Sequence, residues 1–521
     1  MNTSDFLKIN FGYASAQQEM SRAPDLLIDG YLDLHDICKN AVSGGEFLVL
    51  GYKGSGKSAI AERLRLLYQN DSSVFLTNID LADFPYAAFS EIVPGKEAPQ
   101  ARYPTAWSWI LLIHFMASLE KDAALEIPDQ EAFDKTIESL KAMGLLPIIG
   151  LPRLVKVSSE TSVKISIPTF FEGQHKMQAA HIDVPHYVEN LKRLVLNLRT
   201  PNRHLIVLDG LDEIVTSQTA QWDSLGALIF EVNRLNTLLA TNGVNAKILV
   251  LCRTDIFELL EGANKNKIRQ DSAIELDWYS NPSAPGKSRL ISIADLRAKV
   301  ALSKSVNVVA DFFPSKLFAK SATVSLLDTT RHTPRDFLQL LKIIQSACLG
   351  GEISPENVRN GLRRYSIEYF MPEIIDELQG YVTASEAKEF FRLAGALRQR
   401  DFSQRDIQGL AITEKSTLTP EKIDIVLRAL FECSGLGNIE KHVRGQVIFT
   451  FRYRNRHAPF NIKQRMLLHR GLWRALNLPV DDKLGQELKK EAAEMSKSSA
   501  TSDTASASTR RRPRRIKPSS T

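Results

Sequence analysis

The sequence predicts an α/β fold in which helices flank a parallel sheet, followed by a helical lid and a winged-helix-like domain. Three observations lead to this prediction. Short apolar runs typical of buried strands alternate with amphipathic helical patterns in the first half of the chain. Two of these runs end in a glycine-rich and an acidic motif, which belong at the carboxyl ends of parallel strands. A basic segment with strand-like alternation follows further helices near the C-terminus.

The first motif is the segment Gly-Tyr-Lys-Gly-Ser-Gly-Lys-Ser at residues 51–58. An apolar run precedes it and apolar residues at helical spacing follow it, which is the strand, turn and helix context of a phosphate-binding loop. Glycines let the backbone N–H groups face a phosphate chain, and the helix N-terminus adds partial positive charge. The segment therefore predicts a P-loop NTPase core, and a chance match is the alternative.

Within this loop, we expect Lys57 to reach the β- and γ-phosphates and act in catalysis, and the Ser58 hydroxyl to bind Mg²⁺. The G-protein base-recognition motif N-K-x-D is absent from the sequence, which favours ATP over GTP. The predicted nucleotide-binding residues are Gly51, Lys53, Gly54, Ser55, Gly56, Lys57, Ser58 and Ala59.

The second motif is an apolar strand at 205–208 followed by the acidic segment D-G-L-D-E at 209–213. At the carboxyl end of a parallel strand, Asp209 is placed to hold Mg²⁺ through water. Asp212 or Glu213 is placed to orient or deprotonate an attacking water. The alternative is a strand that ends in a solvated acidic turn.

Two arginines are candidate sensors of the γ-phosphate. Arg253 follows a third apolar strand, and its alternative is a structural arginine that pairs with Asp255 or Asp209. Arg335 lies in the first turn of an amphipathic helix, from which it can reach back to the nucleotide out of a helical lid. A solvated first-turn arginine is the alternative there.

Length and periodicity divide the chain of 521 residues into about three domains with flanking segments. We assign an N-terminal segment (1–45), a P-loop core (46–280) with an insertion (84–185), a helical lid (281–378), a winged-helix-like domain (379–480) and a disordered basic tail (481–521). Alternation at 156–167 predicts a hairpin inside the insertion, which either carries function or covers the sheet. Further strands are expected at 74–80 and 273–276, and helices at 32–42, 107–119 and 187–198.

The C-terminal domain combines helices with a basic segment. Helices at 402–410 and 421–431 precede a half-buried strand at 447–454 with an arginine face, and a helix follows at 461–476. Residues 441–474 hold nine Lys/Arg and no Asp or Glu. This predicts a nucleic-acid or partner patch at Arg452, Arg454, Arg456, Lys463 and Arg465. A surface that docks on an acidic partner or on another domain of this chain is the alternative.

The net positive charge of the chain comes from its C-terminal tail. The whole chain carries a net charge of +6, and residues 496–521 alone hold seven Lys/Arg and one Asp, so the remainder is neutral. The Ser/Thr/Ala-rich tail either contacts nucleic acid non-specifically or is a solvated solubility tail. Four cysteines without metal-ligand spacing favour free thiols in a reducing cytosol, and no apolar stretch is long enough for a membrane span. We therefore expect a cytoplasmic protein.

These motifs resemble a known group of ATPases. D-G-L-D-E resembles the Walker B segment of NACHT-type and other STAND ATPases, and the strand end at Arg253 is similar to their sensor 1 arginine. P-R-D-F at 334–337 is similar to the sensor 2 region of AAA+ proteins related to origin-recognition ATPases. Phe11, Gly12 and Glu19, with Ala16, resemble a group of bacterial P-loop ATPases.

The resemblance spans residues 8–345 and implies an additional-strand P-loop fold, ATP and Mg²⁺ as cofactors, and subunits that share a site. It also implies a regulatory switch in bacterial stress or phage defence. The chain departs from the pattern at Gly210, which replaces the second acidic residue usual in AAA+ proteins, and no Gly-x-Pro motif of the STAND type is clear in the lid.

Two functions follow from the sequence. The first is an ATP-binding and ATP-hydrolysing switch, with slow or partner-stimulated turnover, that acts through lid and winged-helix movement. The alternative is a DNA-binding, origin-recognition-like AAA+ regulator in which the nucleotide is mainly structural. Expected partners are ATP, DNA at the basic winged-helix region and tail, and another copy of the chain or an effector protein, with no membrane.

Overall fold

The computed structural model describes residues 3–82, 84, 89, 92–93, 99–146, 184–211, 219–262, 264–279, 284–318, 320–348, 353–441 and 447–480. The chain divides into two compact units. The first comprises Met1–Phe312 with Thr333–Lys342, and the second comprises Phe313–His332 with Ile343–Thr521. Among the described residues, no helix has both the length and the apolar character that crossing a membrane requires.

The first unit is built on a five-stranded parallel sheet with the order β2-β3-β4-β1-β5. Its strands are β1 (Leu48–Gly51), β2 (Val74–Asp80), β3 (Arg203–Asp209), β4 (Ala246–Arg253) and β5 (Ala273–Glu275). β4 lies between the strand that leads into the glycine-rich loop and the strand that ends in Asp209. This inserted strand is the additional strand expected above. The P-loop NTPase fold predicted from the sequence is therefore confirmed.

Helices surround this sheet. They are α1 (Thr3–Lys8), α2 (Ala16–Arg22), α3 (Asp25–Ile28), α4 (Ile37–Ser43), α5 (Lys57–Tyr68), α6 (Pro99–Leu119), α7 (Gln130–Ala142), α8 (Val184–Asn197), α9 (Thr219–Thr241), α10 (Thr254–Leu259), α11 (Lys265–Ser272), α12 (Arg289–Leu302) and α13 (Val308–Phe312). Short 3₁₀ turns lie at Leu34–Asp36 and Pro285–Lys287. α6 packs against α8 and α9, and the indole N–H of Trp107 donates to the Ser224 carbonyl at 2.8 Å.

The central strands are almost completely buried. Residues 48–50, 205–208 and 248–251 are each at most 1 % exposed. Such continuous apolar runs are typical of parallel strands whose two faces are both covered by helices. Because these strands are fixed from both sides, their carboxyl ends present the following loops along one defined edge of the sheet.

One helix of the first unit starts later than the sequence predicts. The helical pattern at 32–42 begins instead with a 3₁₀ turn, and α4 starts at Ile37. His35 and Asp36 have φ angles of 58° and 51°, so the chain passes through the left-handed region between the two elements. The Asp33 carboxylate accepts from the Cys38 N–H at 3.2 Å and holds this bend.

The second unit combines a hairpin, helices and a small sheet. Its helices are α14 (Ala322–Leu327), α15 (Pro334–Ala347, of which the residues up to Lys342 belong to the first unit), α16 (Pro355–Arg364), α17 (Met371–Leu378), α18 (Ala384–Ala396), α19 (Gln404–Thr413), α20 (Pro420–Glu432) and α21 (Arg470–Trp473), with a π-helical segment at Tyr365–Phe370. β6 (Lys316–Leu317) and β7 (Lys320–Ser321) form the hairpin. β8 (Asp401–Phe402), β9 (Leu436–Lys441), β10 (Val447–Thr450) and β11 (Met466–Leu468) form an antiparallel sheet in the order β10-β9-β11-β8.

Two predictions for this unit are wrong. The strand expected at 447–454 ends at Thr450, and residues 452–454 form a turn, so there is no continuous arginine face on that strand. The helix expected at 461–476 is replaced by β11 and the short α21. The cause is tertiary: Met466 and Leu468 are fully buried where β11 pairs with both β8 and β9. A short apolar run in that position is more stable as a central strand.

Several predicted segments lie outside the described residues. They are the hairpin at 156–167, the acidic pair Asp212 and Glu213, and the basic tail at 481–521.

Candidate nucleotide-binding site

The glycine-rich loop connects β1 to α5. Gly54 and Gly56 have φ angles of +79° and +99°, a region that residues with a Cβ rarely adopt. Gly56 directly precedes Lys57, the first residue of α5. The loop therefore wraps around the N-terminus of that helix, where backbone N–H groups and the helix dipole favour an anion.

Lys57 is held inside this loop. It is 3 % exposed, and its ammonium donates to the carbonyls of Gly51 and Tyr52 at 3.2 and 3.3 Å. Next to it, the Ser55 hydroxyl is 2 % exposed and makes no hydrogen bond within the part of the chain that the structure describes. The Ser55 carbonyl accepts from the Trp278 indole at 2.9 Å, which fixes the loop from the sheet side.

The predicted sensor Arg335 lies at this loop. Its backbone N–H donates to the Gly54 carbonyl at 3.3 Å, so the start of α15 contacts the loop directly. A Cβ on Gly54 would be 3.2 Å from both Arg335 Cβ and Thr333 Oγ1, so a larger residue would force these neighbours to move by a few tenths of an ångström. The structure thus brings together a loop and an arginine that are almost 280 residues apart in the sequence.

The N-terminal segment holds the same helix further along. Lys342, two turns after Arg335, donates to the Gly12 carbonyl at 2.9 Å and lies 4.9 Å from the centre of the Tyr13 ring. The buried guanidinium of Arg297 donates to the Phe11 carbonyl at 2.7 Å and pairs with Glu19 at 2.5 Å. Phe11, Gly12 and Glu19, which the resemblance singled out, therefore serve to fix this segment to α12 and α15.

The predicted metal ligand Asp209 lies beside a second carboxylate. Asp80 ends the neighbouring strand in register with Asp209. Gly210 has φ +82°, and a Cβ there would be 2.1 Å from the Asp80 Oδ1. The Asp80 carboxylate thus occupies the space that a side chain at position 210 would need. The positive φ and this close contact both favour glycine at position 210.

Glu62 is a third acidic group near this edge. It lies one helical turn after the half-buried Ser58, is 8 % exposed, and its Oε2 makes no hydrogen bond with any described residue. Burial raises the pKa of Glu62, Arg65 opposes the rise, and the negative charges of Asp209 and Asp80 add to it. No motif of the sequence marks Asp80 or Glu62 as a site residue, and the acidic residue at the end of the strand at 74–80 is the available signal for Asp80.

The donors present suit Mg²⁺ bound together with a nucleotide. Mg²⁺ usually takes one or two carboxylates, water and substrate phosphates rather than a complete protein cage. Accordingly, no group of three or more His, Cys, Asp or Glu in the described ranges is arranged to hold a metal ion alone. The Ser58 hydroxyl and the Asp209 carboxylate would hold the ion, next to the Asp80 carboxylate at the end of the neighbouring strand.

The predicted sensor Arg253 is paired with Asp255. Its Nε and Nη2 atoms donate to the two carboxylate oxygens at 3.0 and 2.5 Å. Burial acts to raise the pKa of Asp255, but the charge and hydrogen bonds of Arg253, together with the charge of Lys57, lower it overall. This is the ion pair that was named above as the alternative to a sensor. Lys53 and Ala59 are half-buried in the loop and at the start of α5.

The basic patch predicted in the second unit is partly balanced by carboxylates. Arg452 pairs with Glu432 at 2.8 Å, and Arg465 pairs with Asp401. Arg454 donates to the Tyr453 hydroxyl at 2.9 Å. Lys463 is exposed and Arg456 is half-buried. Three of the five predicted charges, those of Arg452, Arg454 and Arg465, are therefore offset by acids from other parts of the same unit.

Among known proteins, this chain is similar to solved structures at low sequence identity. No family model matches the sequence, and no curated protein matches it. The Orc1 protein of Aeropyrum pernix in complex with DNA matches at 15 % identity, covering 92 % of this chain and 96 % of that chain, with a TM-score of 0.39. Cdc6p from Pyrobaculum aerophilum matches at 12 % identity, with 95 % and 98 % coverage and a TM-score of 0.30. The Walker-type ATPase PABY2304 of Pyrococcus abyssi matches at 10 % identity, with 85 % and 95 % coverage and a TM-score of 0.38.

Proposed function

We propose that this chain is a regulatory ATPase that binds ATP and Mg²⁺ at the loop formed by residues 51–58. The observation that carries the proposal is the buried Lys57 inside a glycine-rich loop, at the same sheet edge as Asp209. The Lys57 ammonium donates to two backbone carbonyls, and a phosphate oxygen is a stronger, fully charged acceptor for it than a carbonyl dipole.

The roles of the described side chains follow from their positions, and the role of Asp212 or Glu213 rests on the sequence motif alone. Lys57 would bind the β- and γ-phosphates, and Ser58 and Asp209 would hold Mg²⁺, which would supply charge neutralisation at the transferring phosphoryl group. Asp212 or Glu213 positions the attacking water. Arg335 senses the γ-phosphate from the start of α15.

Asp80 and Arg253 complete the site. Asp80, next to Asp209, adds a carboxylate that can accept hydrogen bonds from metal-bound water. Arg253 acts as a positioning residue, because its fork holds Asp255 in the field of Lys57. Both roles are electrostatic, and neither requires contact with the nucleotide.

The switch lies in the contact between the loop and α15. The hydrogen bond from the Arg335 N–H to the Gly54 carbonyl couples loop conformation to a helix whose last residues belong to the second unit. A nucleotide can shift such an equilibrium only through different affinities for the two states. Slow turnover stimulated by a partner or by a second copy of the chain suits this role. A function in bacterial stress or phage defence is supported by the sequence resemblance alone.

ATP binding and hydrolysis by the purified full chain test the proposal. Lys57→Ala should weaken ATP binding by about a hundredfold or more and abolish turnover, because it removes the charged donor. Lys267→Ala, an exposed lysine of the first unit, is the matched control and should change neither. Wild-type affinity in Lys57→Ala would exclude this site, and preference for GTP over ATP would exclude the assigned nucleotide.

A DNA-binding regulator with a structural nucleotide is the second candidate. The element order of residues 384–450, namely helix, strand, two helices and two strands, is typical of a winged helix and favours it. Measurements of ATP turnover and of DNA binding distinguish this candidate from the regulatory ATPase. ATP turnover that is negligible in wild type, with DNA binding that depends on bound ATP, would support this candidate instead.

A further inference from the structure

A hairpin in the second unit presents an exposed aromatic ring among arginines. Phe318 follows β6 at the hairpin tip, has φ +60° and is 39 % exposed. A left-handed backbone is unfavourable for a bulky residue, so the surrounding structure must hold it there. The guanidinium carbons of Arg359 and Arg474 lie 5.6 and 5.3 Å from the centre of this ring.

The positive charge at this ring is poorly compensated. Burial lowers the pKa of Arg474 to about 10, and the charges of Arg470 and Arg359 contribute to the fall. All three influences disfavour a charged guanidinium. A site of this kind gains electrostatic energy when an anion approaches, because the anion relieves repulsion that the fold has already imposed.

The carboxylate of Asp328 already pairs with two other cations. Asp328 pairs with Lys320 at 3.1 Å and with Arg454 at 3.7 Å. Its burial acts to raise its pKa, but the charges of Lys320, Arg454 and Arg470 lower it overall. The Asp328 carboxylate is therefore engaged by other cations, and neither of these two ion pairs is with Arg359 or Arg474.

We infer that Phe318, Arg359 and Arg474 form a binding site for the phosphodiester backbone of a nucleic acid. Guanidinium groups match phosphate oxygens with paired, charge-assisted hydrogen bonds. The exposed ring beside them offers a surface on which an unpaired base can stack, whereas an acidic peptide would leave the ring unused. Arg474 ends the basic segment at 441–474, but none of the three is among the five patch residues predicted from the sequence, and none belongs to the phosphate loop.

Binding of single-stranded DNA by the full chain tests this site. Fluorescence anisotropy with a labelled, mixed-sequence strand measures the affinity over a series of salt concentrations. The double variant Arg359→Gln/Arg474→Gln should bind about tenfold more weakly or worse, and the slope of log K against log salt should shrink by about 1.4, because each lost phosphate contact in a single strand removes about 0.7. Arg405→Gln, an exposed arginine of the same unit, should leave both values unchanged. The basic tail is present in every chain, so its contribution cancels.

Two further variants keep the test decisive if Arg474→Gln lowers the midpoint of thermal unfolding. Arg359 is exposed, so Arg359→Gln alone should fold normally and reduce the slope by about 0.7. Phe318→Leu should weaken binding to single-stranded DNA more than to duplex DNA, because only the single strand offers bases for stacking. An unchanged slope in Arg359→Gln would overturn the inference, as would binding of polyglutamate that exceeds binding of DNA and is lost in the same variants. Lys57→Ala should retain the site, so a failure of the ATPase proposal leaves this test intact.

Discussion

The phosphate loop of the first unit and the basic segment of the second unit both carry conspicuous positive charge, but they hold it differently. Lys57 is buried and donates to backbone carbonyls, which carry only partial charges. Arg452 and Arg465 pair with the full negative charges of Glu432 and Asp401. A phosphate can compete with a carbonyl dipole more easily than with a carboxylate. From this difference we expect the electrostatic partners of basic residues, more than their number, to decide where an anion binds.

Replacing Gly210 should produce the largest change in stability. Gly210→Ala places a Cβ at a φ of +82° and 2.1 Å from the Asp80 carboxylate, so we expect a loss of about 2–4 kcal/mol in the free energy of unfolding of the first unit. Denaturant unfolding followed by tryptophan fluorescence measures this, since four of the five tryptophans belong to the first unit.

A second variant separates the two causes of that loss. In the Asp80→Ala background, Gly210→Ala should cost less, because the shortest contact is removed, while the backbone strain and the contacts with the Ala82 and Leu81 nitrogens at 2.7 and 2.9 Å remain. An equal cost in both backgrounds would show that the Asp80 carboxylate does not occupy the space beside Gly210.

The acidic edge of the first unit should show a pH dependence. A carboxyl with a raised folded pKa binds its proton more tightly in the folded than in the unfolded chain. The stability contributed by Glu62 is therefore present below its ordinary pKa of 4.5 and is lost as the pH rises through the folded pKa. Glu62→Gln should gain stability relative to wild type over that interval. Denaturant unfolding at a series of pH values without Mg²⁺ measures this.

Glu131→Gln is the control for this prediction. Glu131 is 77 % exposed and pairs with Lys135 across one helical turn, so its stability difference from wild type should vary little with pH. A Glu62→Gln difference that is equally flat would mean that the buried carboxyl is not perturbed.

Replacing an arginine of the second unit that pairs with a carboxylate should have the smallest effect on stability. Arg465→Gln removes a half-exposed ion pair with Asp401, which should cost about 0.2–1 kcal/mol in the free energy of unfolding. The salt dependence of DNA binding should be almost unaffected, in contrast to Arg359→Gln. A larger slope change for Arg465→Gln than for Arg359→Gln would reverse the comparison and restore the patch predicted from the sequence.

The accuracy of the sequence predictions differs between the two units for a physical reason. The phosphate loop depends on glycines at fixed spacing between a strand and a helix, and all of these residues are neighbours in the chain. The segment 447–476 instead depends on pairing with β8 and β9 and on Glu432 and Asp401. Alternation and charge runs carry no information about such distant partners, so the strand was extended too far and the following helix was wrong.

The sequence by itself determined the parallel sheet, the loop at 51–58 and the position of Asp209, because local patterns specify strands, glycine turns and helix starts. Only the tertiary structure decided which distant groups meet. It placed Arg335 on Gly54, Asp80 in the space beside Gly210, and Arg359 and Arg474 around Phe318. These contacts join segments that lie far apart in the chain, and their geometry is set by the packing of whole elements rather than by any motif.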